Sequence, residues 1–328
     1  MRTVFFGTPD WAVPSLQELL TSDIEVAAVV TNPDRPAGRK LEVQAPPVKR
    51  AALDAGLEVL QPEKARDPEF QQRLRELGPD VASVVAYGKI LPAEVLDIPP
   101  SGFVNLHFSL LPAYRGAAPV QRALMDGVDK TGASVMVLTE GMDEGPLLGS
   151  AAVDVLDDDT SGSLGARLAE IGAPLLVERL KMYVDGSIEP QEQDHDSATY
   201  APKISGEEAR IDWTRPAQAI RNQIRGLNPA PGAWTTLRGN RVKVLRAESY
   251  EPRNPYEIFD GSERIDALQG NRRAASGSPG QIVDGSKLMV KTGEGALLLT
   301  EVQPAGKRAM TGAELARGLR PASGELFE

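Results

Sequence analysis

Cysteine is absent from the 328 residues, and histidine occurs only twice. Without cysteine there are no disulfides and no thiolate nucleophile, which fits a cytoplasmic location. Two histidines leave too few ligands for an ordinary zinc site, so no metal is expected. No apolar run reaches the roughly 18 residues that a membrane span needs, so no membrane partner is expected either. The opening Met1-Arg2-Thr3-Val4-Phe5-Phe6 goes directly into strand-like sequence, without the anatomy of a secretion signal. With 41% hydrophobic and 25% charged residues, the chain has the composition of a globular protein with a sizeable core and the length of two domains. No internal repeat is present.

The net charge of −10 argues at first against a nucleic-acid partner. The halves differ, however. Residues 1–202 hold 17 Lys and Arg against 31 Asp and Glu, a net of −14, whereas residues 203–328 hold 19 against 15, a net of +4. Such asymmetry hints at a module that faces a polyanion, although two domains with different solvated surfaces would also produce it.

Arg2 to Phe6 reads as a buried strand, followed by Gly7-Thr8-Pro9-Asp10 and a helix carrying Val13, Leu16, Leu19 and Leu20. Strand, glycine turn, helix opens a doubly wound α/β domain. A single glycine is not the spaced triplet of a dinucleotide cradle. Further strands are expected at residues 25–30, 57–60, 80–87, 103–107, 133–138 and 147–155, with helices at 48–56, 67–77, from Val120, and at 164–183. Arg35 to Pro47 is rich in Pro, Gly and basic residues and reads as a long loop, for which ordinary solvation is sufficient reason on composition alone.

Residues 190–207 are polar and irregular and read as a linker; His195 lies in its acidic run and is given no catalytic role. Beyond it, a helix at 217–226 and five short strands (233–237, 242–247, 281–284, 288–292 and 296–302) suggest a small antiparallel barrel. A charged, Gly- and Ser-containing insertion at 251–280 interrupts them, and a short helix at 311–319 closes the module.

The chemistry is concentrated where the 103–107 strand ends. Asn105 and His107 are two residues apart and so share one face. An amide that can donate and an imidazole that titrates near neutrality suit acyl-group transfer, which needs an oxyanion donor and a proton carrier. Two readings stay open from these residues: a reactive pair, or polar side chains satisfying backbone at a strand end. Asp143, between Gly141 and Gly145 beyond another strand end, would orient the His107 ring. Turn chemistry alone also accounts for an acidic residue there.

Asn105-x-His107, Ser109-Leu110-Leu111-Pro112, Arg115-Gly116 and Gly141-x-Asp143-x-Gly145 together resemble the formyltransferases that use 10-formyltetrahydrofolate. Gly7-Thr8-Pro9-Asp10, the run from Asn32 to Arg39, Gln303-Pro304-Ala305-Gly306-Lys307 and the run from Glu207 to Trp213 narrow the resemblance to members that act on methionyl-tRNA. It covers nearly the whole chain.

The resemblance implies a Rossmann-like, doubly wound N-terminal catalytic domain (1–189), a linker (190–207) and a C-terminal antiparallel OB-like barrel (208–320) that binds tRNA. It implies formyl transfer from 10-formyltetrahydrofolate to the α-amino group of initiator methionyl-tRNA, by a cytoplasmic monomer without a metal. The catalytic residues fall on Asn105, His107 and Asp143. The folate segment falls on Ser109, Leu110, Leu111 and Pro112, completed by Tyr87, Gly88, Ile90 and Leu91 and by the 139–142 loop. The tRNA contacts fall on Arg35, Arg39, Lys40, Lys203, Lys307 and Arg308.

Two departures stand out: Phe108 replaces a small residue, and Leu41-Glu42-Val43 replaces a lysine-rich run. A formyltransferase for a nucleotide-linked amino sugar would share the trio and the folate segment. An RNA-binding protein without activity would leave the trio without a purpose.

Overall fold

The computed structural model describes residues 1–37, 42–250, 277–322 and 324–328. Arg39, Lys40 and most of the 251–280 insertion lie outside the described residues. Two units emerge: residues 1–120, 129–155 and 163–203 form the first, and 121–128, 156–162 and 204–328 the second. Among the described residues no helix is long and apolar enough to cross a membrane.

The first unit is Rossmann-like. Its strands are β1 (Arg2–Gly7), β2 (Glu25–Val30), β5 (Val59–Leu60), β6 (Val81–Val85), β7 (Phe103–His107), β8 (Lys130–Val137) and β9 (Leu147–Asp154), and they form one sheet in the order β5-β2-β1-β6-β7-β8-β9. The first five are parallel; β8 and β9 run antiparallel at one edge. Val4, Phe6, Ala28, Val30, Ala82, Val84 and Phe103 share one core cluster. Near-continuous apolar runs are what strands covered on both faces require. Strand order reverses beside β1, so the carboxyl ends of β1, β2 and β6 border a crevice of the kind that takes ligands in open α/β sheets.

Every strand expected in this unit is present. One feature was not legible: Arg35–Ala37 and Glu42–Gln44 pair as an antiparallel hairpin, β3 and β4, where Pro and Gly density suggested a loop. Its root is tied down by Lys49, whose ammonium is hydrogen-bonded to both Asp34 oxygens (2.9 and 2.7 Å) and to Gln61 Oε1 (2.7 Å). The Lys49 and Gln61 side chains hold the Asp34 carboxyl below the usual aspartate range.

The second unit is an antiparallel sheet in the order β10-β11-β14-β13-β12, built from Ala233–Leu237, Asn240–Tyr250, Ala296–Pro304, Met289–Lys291 and Ile282–Asp284, with β15 (Met310–Thr311) beside β14. All five strands expected from the sequence are present. What completes the ring is the segment 324–328: Leu326 bridges Gln281 and Phe327 bridges Leu237, joining the free edges of the first and last strands. Phe327 is 3% exposed and its ring stacks at a tilt on Trp213, 5.8 Å away. Closure of this kind removes unpaired edges.

Candidate active site

The sheet of the first unit ends in the loops that carry the polar residues singled out above. Asn105 and His107 lie in β7, next to β6 on one side and β8 on the other, and both are buried. His107 Nε2 lies 2.9 Å from the Tyr114 carbonyl. A carbonyl only accepts, so Nε2 carries a proton, and Nδ1 is the nitrogen left to exchange one. Nδ1 faces Asp143 Oδ2 at 3.6 Å. The same oxygen accepts the Gly116 N–H at 2.8 Å. Asp143 sits at φ +51°, a left-handed conformation that few non-glycine residues adopt. The Asn105 amide is 8% exposed and makes no hydrogen bond among the described residues. The amide keeps contact with solvent, and an oxygen brought by a substrate would take the place of water as its partner.

The Ser109–Pro112 run follows directly. Ser134 of β8, opposite His107, donates to the Ser109 carbonyl at 2.7 Å and accepts the Leu111 N–H at 3.1 Å. The Ser109 hydroxyl donates to the Ala113 carbonyl at 2.6 Å. Ser109 and Leu111 are buried and shape the turn, whereas Leu110 and Pro112 are half-buried. Phe108 packs edge-on against Trp11, with ring centres 5.9 Å apart. Its bulk is therefore absorbed on the Trp11 side.

The rim residues divide. Ile90 is fully exposed and lines, with Leu91, Pro92 and Glu140, a cavity of about 540 Å³. The 87–92 and 139–142 loops thus meet in one cavity. Gly88 and Lys89 line a second cavity of about 540 Å³ with Thr8, Asn32, Arg35 and Arg50, beyond the ends of β1, β2 and β6. Tyr87 is not on the surface. Its ring packs edge-on against Phe6 at 5.3 Å, and burial pushes its hydroxyl up to about 12. Its carbonyl accepts from Asn32 and Thr8.

Of the expected basic contacts, Arg35, Lys203, Lys307 and Arg308 are exposed. Arg39 and Lys40 lie outside the described residues. In the second unit, Arg241 stacks on the Trp234 ring at 4.1 Å and Arg210 approaches it at 5.9 Å.

Several residues that organise the site were not legible as such. Arg115 appeared only as part of a motif, yet it is almost fully buried, and its Nε and Nη2 donate to Gln193 Oε1 at 3.1 and 2.7 Å. Gln193 belongs to the polar stretch read as a linker, and residues 191–201 pack onto the first unit. Thr199 accepts the Tyr114 N–H through its hydroxyl, and the Arg115 N–H through its carbonyl. A run of polar residues with no periodicity carries no signal for such contacts.

Two family models match the chain: formyl transferase over residues 1–180, and formyl transferase, C-terminal domain, over residues 203–320. Methionyl-tRNA formyltransferase of Streptomyces griseus is 48% identical over 328 residues, covering 100% of this chain and 99% of its own. Its counterpart in Heliobacterium modesticaldum is 44% identical over 329 residues, covering both chains fully. Among solved structures, methionyl-tRNA formyltransferase from Clostridium thermocellum superposes with a TM-score of 0.56 at 17% identity, over 76% of this chain and 94% of its own. HypX from Aquifex aeolicus, solved in complex with tetrahydrofolic acid, superposes with a TM-score of 0.64 at 17% identity, over 99% of this chain and 48% of its own. At such identities the superpositions speak for the fold.

Proposed function

The chain belongs to the formyl transferase family, and from that premise we propose that its site moves the formyl group of 10-formyltetrahydrofolate onto the α-amino group of methionyl-tRNA, the initiator species in particular. The observation that carries the site assignment is the Asn105 amide, which no protein group engages, on the same strand face as a His107 ring whose Nδ1 faces a carboxylate. The protein works as a cytoplasmic monomer in this reading.

The residues present suit the folate. An exposed Ile90 and a buried Leu91 line a cavity, and the Asn105 donor has no protein acceptor. The Ser109–Pro112 turn and the 88–91 loop would hold the donor molecule. When bound it supplies the formyl carbon, whose bond to N10 breaks as one to the methionyl nitrogen forms, while one proton passes from the amine to the folate nitrogen.

The protein's part is positional and electrostatic. Asn105 Nδ2 donates to the formyl oxygen as negative charge gathers on it, an effect worth about 3–4 kcal/mol of barrier for one such donor. His107 Nδ1 holds or passes the proton. Nε2 stays bonded to the Tyr114 carbonyl and fixes the ring. Asp143, held by the Gly116 N–H, stabilises a proton on Nδ1. Arg35, Lys203, Lys307 and Arg308, with Arg39 and Lys40, would bind the tRNA backbone.

Purified protein incubated with 10-formyltetrahydrofolate should formylate charged initiator tRNA well ahead of charged elongator methionyl-tRNA. Equal rates on the two would refute initiator selection. Transfer only to an amino sugar on a nucleotide would refute the tRNA assignment and leave the catalytic trio standing.

A further inference from the structure

The ring of His107 receives its two partners from separate loops. Tyr114 offers a carbonyl from the loop after β7, and Asp143 offers a carboxylate from the turn after β8. A direct bond between these loops runs from the Gly116 N–H to Asp143 Oδ2. A second connection runs through Gln193, which is 5% exposed and uses both ends of its amide. Its oxygen accepts from Arg115 Nε and Nη2, and its nitrogen donates to the Asp143 carbonyl at 3.0 Å and the Gly145 carbonyl at 2.7 Å.

Chemistry allows no other orientation of this amide. A guanidinium only donates and a carbonyl only accepts, so Oε1 must face Arg115 and Nε2 must face the turn. Arg115 is buried at 2% exposure, and its nearest partners besides Gln193 are His195 Nδ1 at 3.3 Å and the backbone of residues 199–201. Burying a charge costs several kcal/mol unless it is hydrogen-bonded, so an arginine kept here calls for an acceptor of the Gln193 type. The turn that Gln193 grips is the one where constraint matters: Asp143 is at φ +51°, and Gly145 has no room for a side chain, since a Cβ would come within 2.0 Å of the Val137 carbonyl.

We propose that Gln193 is a positioning residue for formyl transfer, setting the Asp143 carboxylate against His107 Nδ1 by tying the Asp143 turn to Arg115. The inference rests on the catalytic roles assigned above to His107 and Asp143. Gln193 touches no reacting atom. It acts through Asp143, and that route distinguishes it from a residue that merely helps the unit fold.

The test is a double-mutant cycle in single-turnover formylation with the full chain. Gln193→Ala should lower the rate about 10- to 100-fold, since small misplacements of catalytic groups reach that size, with little change in KM for methionyl-tRNA. Gln193→Glu keeps an acceptor for Arg115 but removes both N–H donors, and should lose at least as much. In an Asp143→Asn background, Gln193→Ala should add almost nothing, because the group it places is already disabled. The pH profile of Gln193→Ala should also move towards that of Asp143→Asn. Independent multiplication of the two losses, or wild-type rates in both Gln193 variants, would overturn the proposal. Gln193→Met, of similar length and without hydrogen bonds, replaces the alanine variant if melting shows the latter unfolded. Wild-type protein inactive on methionyl-tRNA would sink the acceptor assignment alone, and the same cycle would then be read with the amino-sugar acceptor.

Discussion

Replacing Asn105 by alanine should separate activity from stability. The Asn105 side chain is 8% exposed and makes no hydrogen bond among the described residues. Its removal therefore breaks no internal bond. The amide keeps contact with solvent, so its loss relieves no desolvated polar group, and only the small void left behind bears on stability. For a unit of this size, about 1 kcal/mol corresponds to about 2–4 °C in Tm. The variant should melt within a few degrees of the wild-type temperature. Formylation should collapse, because one oxyanion donor is worth about 10²- to 10³-fold in rate. Single-turnover formylation and a thermal melt on the same preparation decide the matter. Near-wild-type rate would remove Asn105 from the chemistry. A stability loss of more than about 2 kcal/mol would show that the side chain has a structural role, since losses of that size come from broken buried bonds or large cavities.

Three further outcomes are expected. KM for tRNA should rise steeply with salt, because each phosphate contact releases counterions, and Lys307→Ala with Arg308→Ala should raise KM and flatten that slope; a salt-independent KM would rule out the basic surface. Phe327→Ala should cost about 3–5 kcal/mol in denaturant unfolding of the second unit, since its ring is 3% exposed and stacks on Trp213 across the closure of the sheet; a loss below about 1 kcal/mol would mean that the segment is not part of the core. Glu208→Gln should lower stability at neutral pH and converge on wild type in acid. The Arg122 guanidinium holds the Glu208 carboxyl below the usual glutamate value, so that stabilisation is present above the unfolded value and fades as pH falls through the lowered folded one. A gap between Glu208→Gln and wild type that persists unchanged in acid would contradict the pairing.

The fold was legible strand by strand because each strand buries itself in a distinctive way. Val4 to Phe6 is an apolar run and Val81 to Val85 is one interrupted only by the small, buried Ser83, as befits parallel strands covered on both faces. The barrel strands are bounded by glycine turns, and all five appear where those turns place them. The hairpin of Arg35–Ala37 with Glu42–Gln44 escaped, because its pairing is local and its residues are those of a loop. Closure of the barrel by Leu326 and Phe327 escaped for the opposite reason: both partners lie more than forty residues away, at Gln281 and Leu237.

At the site, the sequence by itself determined which chemical groups are present and that Asn105 and His107 share a face, since a strand's period of two allows nothing else. It also set the absences: no thiol, and one histidine besides His107. Only the tertiary structure decided how those groups are wired. The Tyr114 carbonyl selects the His107 tautomer, the Gly116 N–H holds Asp143, and Gln193 reaches from a polar stretch fifty residues on to brace the turn. These are contacts between segments with no shared period and no local propensity. Their energies depend on distance and direction in space, and a linear pattern of residue types does not carry that information.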